Sequence, residues 1–140
     1  MAGPDMVRKY VDIYNSGDSA GLGVFYADDV VVEDPLSPQP LRGRETVLAT
    51  AAAFRGAFPD MVWDLTRDPV ASGDAIAWEV RATGTMTGSM PGPDGDIPPT
   101  GKPFEVDMAI FWTLGPDNLI TEERAYFDAT GMMTQLGLMA

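Results

Sequence analysis

Two residue types are missing altogether: the 140-residue chain has no cysteine and no histidine. Without cysteine there is no disulfide, no thiolate nucleophile and no thiolate metal site. Without histidine the commonest general base and the commonest metal ligand are both gone, so any acid–base work falls to carboxylates, tyrosines or lysine. Positive charge is scarce as well. Nine Lys and Arg against 21 Asp and Glu leave a net charge of −12, which repels phosphate backbones and anionic headgroups, so neither nucleic acid nor a membrane surface is an expected partner. The carboxylates are not spaced as a metal-ligand set, and neither a metal nor a cofactor is expected. The N-terminus, Met-Ala-Gly-Pro-Asp, lacks the basic start and apolar stretch of a signal peptide, and a cytoplasmic protein is expected.

What is present suits one domain over residues 1–140, because 45% hydrophobic residues supply a core large enough for a chain of this length to fold alone. From Pro4 to Ser16, Met6, Val7, Tyr10, Val11 and Tyr14 recur at helical spacing, with Pro4 suited to the first turn and Gly17 to the stop. Asp18 is placed to cap a second helix through about Tyr26, closed by Asp28-Asp29. A third helix is expected from Arg44 to Phe58, with Val47, Ala51, Phe54 and Phe58 as its apolar stripe and Pro59 as its end.

Elsewhere the period changes to two. A short strand is expected over Val30–Asp34, then strands over Met61–Arg67, Asp74–Thr87, Lys102–Leu114 and Leu119–Phe127, with turns at Ser72-Gly73 and Gly115–Asn118. The Pro/Gly-rich insert Met90–Gly101 reads as a hairpin loop at the mouth of a pocket. Helices followed by strands argue for an α+β fold: a cone-shaped curved antiparallel sheet wrapped around three N-terminal helices, enclosing an apolar pocket. Alternation turns Val106, Met108, Ile110 and Trp112 towards the core and Glu105, Asp107 and Phe111 outwards. Ile76, Trp78, Val80, Ala82 and Met86 share the core face of the preceding strand. For the last strand periodicity decides little, and Glu122-Glu123 are read as a solvated or interface face.

Asp34 is the sharpest candidate for chemistry, since it ends the apolar stripe of Val30 and Val32. A helix crossing that strand would bring Tyr10 or Tyr14 near it. A carboxylate and a phenol in an apolar cavity suit removal of a proton next to a carbonyl: the carboxylate takes the proton and the phenol stabilises the enolate oxygen. The alternative is structural, with Asp34 opening a turn before Pro35 and the tyrosines filling core.

The front of the chain resembles the ketosteroid isomerases of the nuclear-transport-factor-2-like superfamily. The resemblance lies in Val7-Arg8-Lys9-Tyr10, Asn15-Ser16-Gly17-Asp18, Tyr26-Ala27-Asp28-Asp29 running on to Val32-Glu33-Asp34-Pro35, and Gly43-Arg44-Glu45. It implies Asp34 as the base, Tyr10 as the oxyanion donor and Tyr26 as a supporting tyrosine. The family's second oxyanion donor falls on Ile110 when counted back without gaps from Arg124-Ala125-Tyr126-Phe127. Only a bulge would let Asp107 replace it. The back half is similar to SnoaL-like polyketide cyclases, through Ile97–Lys102 and Phe127-Asp128 leading to Thr134–Gly137, although the catalytic Asp of those cyclases falls on Ala125. Asp128 matches a second acid in that motif and reads mainly as a helix N-cap.

The leading expectation is an isomerase acting on a bulky apolar carbonyl compound. Ring closure by a polyketide cyclase and non-catalytic binding of a hydrophobic ligand are the alternatives. Tyr14, Tyr26, Phe54, Trp63 and Met86 are expected in the walls of the substrate pocket. Met108, Ile110, Trp112 and Phe127 complete it. An outward Phe111 leaves apolar sheet surface to cover, and a homodimer is expected.

Overall fold

The computed structural model describes residues 3–139. Helix α1 spans Gly3–Asn15 and ends where Gly17 takes a φ of 83°, a left-handed conformation that costs glycine nothing. It buries Met6, Val7, Tyr10 and Val11, the stripe that the spacing marks out. Asp18 does cap the next segment, its Oδ1 accepting from the Gly21 N–H at 3.0 Å. That segment is a 3-10 turn over Ala20–Phe25 and not an α-helix, which suits a six-residue piece with two glycines.

Strand β1 follows at once over Tyr26–Glu33, four residues earlier than the apolar run suggests. Asp28 and Asp29 therefore sit inside the strand, both exposed, and do not close a helix. A break in the pairing register between Tyr26 and Val31 lets this charged stretch pass without reaching the core. Asp34 lies just past the strand's end. The Pro-rich stretch leads into β2, Leu41–Arg42, a two-residue pairing with Val31 and Val32 that periodicity is too short to reveal. Helix α2, Arg44–Ala57, matches the expected third helix to within one residue.

The remaining strands are β3 (Val62–Leu65), β4 (Val70–Ser72), β5 (Ala75–Thr85), β6 (Pro103–Leu114) and β7 (Ile120–Tyr126), with helix α3 over Ala129–Gln135. The sheet is curved and open, in the order β2-β1-β7-β6-β5-β3, with β4 pairing β5 beside β3. It is not wholly antiparallel. Strands β1 and β7 run parallel, pairing Val32 with Glu123 and Glu33 with Arg124. Such a pairing joins the two ends of the chain, so no local signal announces it.

The β5–β6 ladder runs in unbroken register from Ala75–Thr113 to Thr85–Pro103. Without a bulge, the alternation of β6 holds: Ile110 is buried, and Asp107 lies outside, accepting from Arg81 Nε at 3.0 Å. Asp107 therefore has no access to the interior. Inside, Tyr10 is the hub of an aromatic cluster, with ring centroids 5.4 Å from Phe25, 5.6 Å from Trp78 and 5.1 Å from Trp112. Two side chains staple α1 and α2 to the sheet. Asn15 mimics a strand, giving Nδ2–H to the Trp63 carbonyl and accepting the Trp63 N–H, both at 2.8 Å. Arg55 donates to the carbonyls of Met61 and Tyr14 and lies over the Tyr14 ring at 5.2 Å.

The insert Met90–Gly101 is pinned by paired hydrogen bonds between Met90 and Ile97 and by Gly101 N–H to the Met86 carbonyl. None of its residues lines the cavity, so it is not the mouth of the pocket. Asp128 caps α3 through the Gly131 N–H at 2.8 Å, as its position before Ala129 suggests. No helix among the described residues is long and apolar enough to cross a membrane.

Candidate active site

Helices α1 and α2, the end of β1 and the inner face of β6 and β7 border a half-open cavity of about 120 Å³. Its walls are apolar. Val47, Ala51 and Phe54 come from α2, Met108 and Ile110 from β6, Ala125 and Phe127 from β7 and just beyond, and Met61 and Trp63 from the β3 region. Against that lining stand five polar side chains of interest: Tyr10, Tyr14, Tyr26, Asp34 and Glu123.

Asp34 lies at the border with a second, shallower cavity of about 300 Å³, which it shares with Ala125 and Phe127 and which Glu33, Arg124 and Tyr126 also line. Its carboxylate is fixed by its own turn. Oδ1 accepts the N–H groups of Leu36 at 2.8 Å and Ser37 at 2.9 Å, and Oδ2 accepts the Ser37 hydroxyl at 3.0 Å. The turn-opening role and the cavity position therefore coexist, with the second lone pair of Oδ2 uncommitted.

Glu123 is the residue that sequence reasoning missed. The solvated face expected for Glu122-Glu123 is half wrong: Glu122 points out to Arg124 at 3.3 Å, and Glu123 points in. Register explains why, since Glu123 pairs across from Trp112 on β6 and Val32 on β1, both core positions. Counting back by twos from Phe127, through Ala125, gives the same face. Its Oε1 accepts the Trp112 indole N–H at 2.7 Å and the Tyr26 hydroxyl at 3.1 Å. The Tyr26 and Tyr10 hydroxyls are in turn 2.6 Å apart. Burial pushes the Glu123 carboxyl above the usual carboxylate range; the bonds from Trp112 and Tyr26 pull it back, and the charge of Asp34 pushes it up again.

Burial also raises Tyr10 and Tyr26 well above the ordinary phenol value, reinforced by the negative charge of Glu123. Tyr14 is raised by burial too, with Arg55 opposing. All three stay neutral phenols at any physiological pH. Tyr14 stacks on Trp63 at 4.0 Å between centroids, and the buried Trp63 N–H finds no partner among the described residues.

Of the residues expected at the site, Tyr10, Tyr14, Tyr26, Asp34, Phe54, Trp63, Met108, Ile110 and Phe127 come together around the cavity. Met86 and Trp112 do not line it. Met86 lies beyond the end of β5, buried where the Thr100 hydroxyl meets its sulfur at 3.8 Å. Trp112 stands behind Glu123 and reaches the site only through its N–H. Among the described residues no three carboxylates gather closely enough to hold a metal ion.

A curved, open sheet packed by helices in an α+β cone is the architecture of the nuclear-transport-factor-2-like superfamily. The profile of the SnoaL-like polyketide cyclases matches residues 4–136, and the chain belongs to that family. Among solved structures it is similar to IdmH of Streptomyces antibioticus, a candidate polyketide cyclase, at 30% identity over 97% of this chain and 99% of that one, with a TM-score of 0.75. A protein of ketosteroid isomerase-like fold from Catenulispora acidiphila, solved with trimethylamine, shares the fold at 21% identity, covering 98% of this chain and 95% of that one, TM-score 0.78. So does a candidate SnoaL-like cyclase from Jannaschia sp. CCS1, at 23% identity over 93% and 90% of the two chains, TM-score 0.76.

Proposed function

We propose that the protein is an enzyme that forms an enolate from a carbonyl compound and uses it to close a ring, as expected of a polyketide cyclase. The observation that carries this reading is a pair of carboxyl groups, Asp34 and Glu123, on one largely apolar cavity that three tyrosines also line. In the first step Asp34 takes a proton from the carbon beside a carbonyl. The C–H bonding pair becomes the enolate, and a hydrogen-bond donor in the cavity stabilises its oxygen. The enolate carbon then attacks a second carbonyl of the same chain, and the resulting alkoxide takes the proton back.

Ketosteroid isomerisation uses the same first step and is the second reading. The family match favours ring closure, since the profile that covers residues 4–136 is that of polyketide cyclases. Ring formation from a short poly-β-ketone and conjugation of a β,γ-unsaturated ketosteroid are both followed by ultraviolet absorbance. The polyketone should be turned over and the steroid far more slowly. Preference for the steroid, or turnover of neither, would contradict the reading.

A homodimer belongs to the same proposal. On the outer sheet face Phe111 and Tyr126, 48% and 55% exposed, meet edge to face at 5.9 Å. Register sets Ala77 and Ala109 beside them, and ion pairs of Arg81 with Asp107 and of Arg124 with Glu33 and Glu122 form a rim. An apolar centre with a charged rim suits a second copy of the chain. Light scattering should give a dimer mass at micromolar concentration and a monomer for Phe111→Lys. A monomeric wild type would remove the basis for the dimer.

A further inference from the structure

Of the three tyrosines on the cavity, Tyr14 turns its hydroxyl to the Met61 sulfur at 3.9 Å, and the other two have no proton to offer a substrate. Each phenol has one proton. Tyr26 gives its proton to Glu123 Oε1, so the 2.6 Å contact between Tyr26 and Tyr10 requires Tyr10 to donate to Tyr26. Neither then has a proton for a substrate oxygen, although both line the cavity. The Trp112 indole N–H is likewise spent on Glu123 Oε1. Tyr26 and Trp112 converge on one oxygen of one carboxyl group, with Tyr10 behind Tyr26, and the other oxygen, Oε2, takes no hydrogen bond from any described residue.

We propose that Glu123 is held as the neutral acid and that its Oε2–H is the donor to the substrate's carbonyl oxygen, with Tyr26, Tyr10 and Trp112 acting as positioning residues. Protonation at Oε2 leaves the network intact, since Oε1 remains an acceptor for both Trp112 and Tyr26. It also supplies the donor that Ile110 cannot. Among the described residues no cation compensates the Glu123 carboxyl group. From α1 come the neutral phenols Tyr10 and Tyr14, from β1 and its end Tyr26 and the carboxylate Asp34, and from β6 the neutral indole of Trp112. From α2, Arg55 lies over Tyr14 and Arg44 pairs with Asp28. On Glu123's own strand, Arg124 is on the outer face with Glu33 and Glu122. Burial, the leading influence on Glu123, favours the neutral form in the same direction.

In the reaction the proton leaving carbon goes to Asp34. The electron pair ends on the carbonyl oxygen, which Glu123 hydrogen-bonds, and Glu123 keeps its own proton throughout. The kinetic test rests on the enolate reading proposed above. With a carbonyl substrate, kcat/KM should fall as pH rises through the elevated pKa of Glu123. Glu123→Gln, whose amide both accepts at the Oε1 position and donates at the other, should stay within about tenfold of wild type and lose that alkaline limb. Glu123→Leu should lose roughly 10²–10³ in rate, the usual effect of removing one oxyanion donor. A Glu123→Gln variant as impaired as Glu123→Leu, or a rate that climbs with pH through the same ionisation, would make Glu123 a base and overturn the proposal.

A second measurement needs no turnover. Infrared spectroscopy of the protein at neutral pH should show a protonated carboxyl stretch that Glu123→Gln abolishes and Asp34→Asn keeps. Stability gives the same sign. An acid whose pKa is raised by folding binds more protons folded than unfolded, so wild-type stability should decline between the ordinary carboxylate pKa and the raised one, relative to Glu123→Gln. Absence of the infrared band overturns the proposal even if the enzyme turns over. The band without turnover upholds the neutral acid and overturns the enolate reading instead.

Discussion

Asp34→Asn should lower kcat for ring closure by roughly 10²–10⁴, the range typical of losing a positioned general base. The variant separates chemistry from architecture. Asn keeps an acceptor oxygen for the N–H groups of Leu36 and Ser37, so the turn after β1 should survive and thermal stability should change little. Basicity is what disappears. Activity retained within a few-fold of wild type would confine Asp34 to its turn and remove it from the chemistry. A steep loss of stability would show that the lost activity reports on the turn.

The largest stability effect is expected at Trp78→Ala, about 3–5 kcal/mol by urea unfolding, the usual range for truncating a large core aromatic. Trp78 is buried between Tyr10 at 5.6 Å, Trp63 at 5.9 Å and Trp112 at 5.0 Å, and so joins α1 to the inner face of the sheet. Its own N–H has no partner among the described residues. A change to Phe should therefore cost markedly less, because it retains ring packing and removes an unsatisfied buried donor. Equal losses for Ala and Phe would mean that the indole nitrogen matters in a way the packing does not account for.

The parts of this fold that could be read locally were those whose side chains repeat against one partner. Helix α1 has its stripe and its Pro4 and Gly17 signals, and β6 alternates cleanly because one face meets the core and the other carries Glu105, Asp107 and Phe111. Strand β1 was harder. Tyr26–Glu33 contains two exposed aspartates in mid-strand, tolerated only because the register with β7 breaks there. That partner lies at the far end of the sequence. The candidate site divides the same way. Asp34 and Tyr10 stand out by type and position, and Ile110 by strand face. Glu123 hides among consecutive charged residues, Glu122-Glu123-Arg124, where composition suggests solvent. Its inward direction depends on Trp112 and Val32 across two strand pairings, and on donors from Tyr26 and Trp112 that make a half-buried carboxyl tolerable. The expected pocket wall also included Met86 and Trp112, two core residues on the correct strand faces. Sharing a face places a residue inside without placing it on the cavity.

Removal of a proton from carbon beside a carbonyl can be followed alone by incubating wild type and Asp34→Asn with a small β-diketone in D₂O and reading deuterium incorporation at the α-carbon by NMR. Exchange reports enolate formation whether or not a ring can close. Wild type should accelerate incorporation well above the buffer rate, and Asp34→Asn should fall back to nearly that rate. Incorporation at the buffer rate with wild type, or equal acceleration by both proteins, would contradict the account.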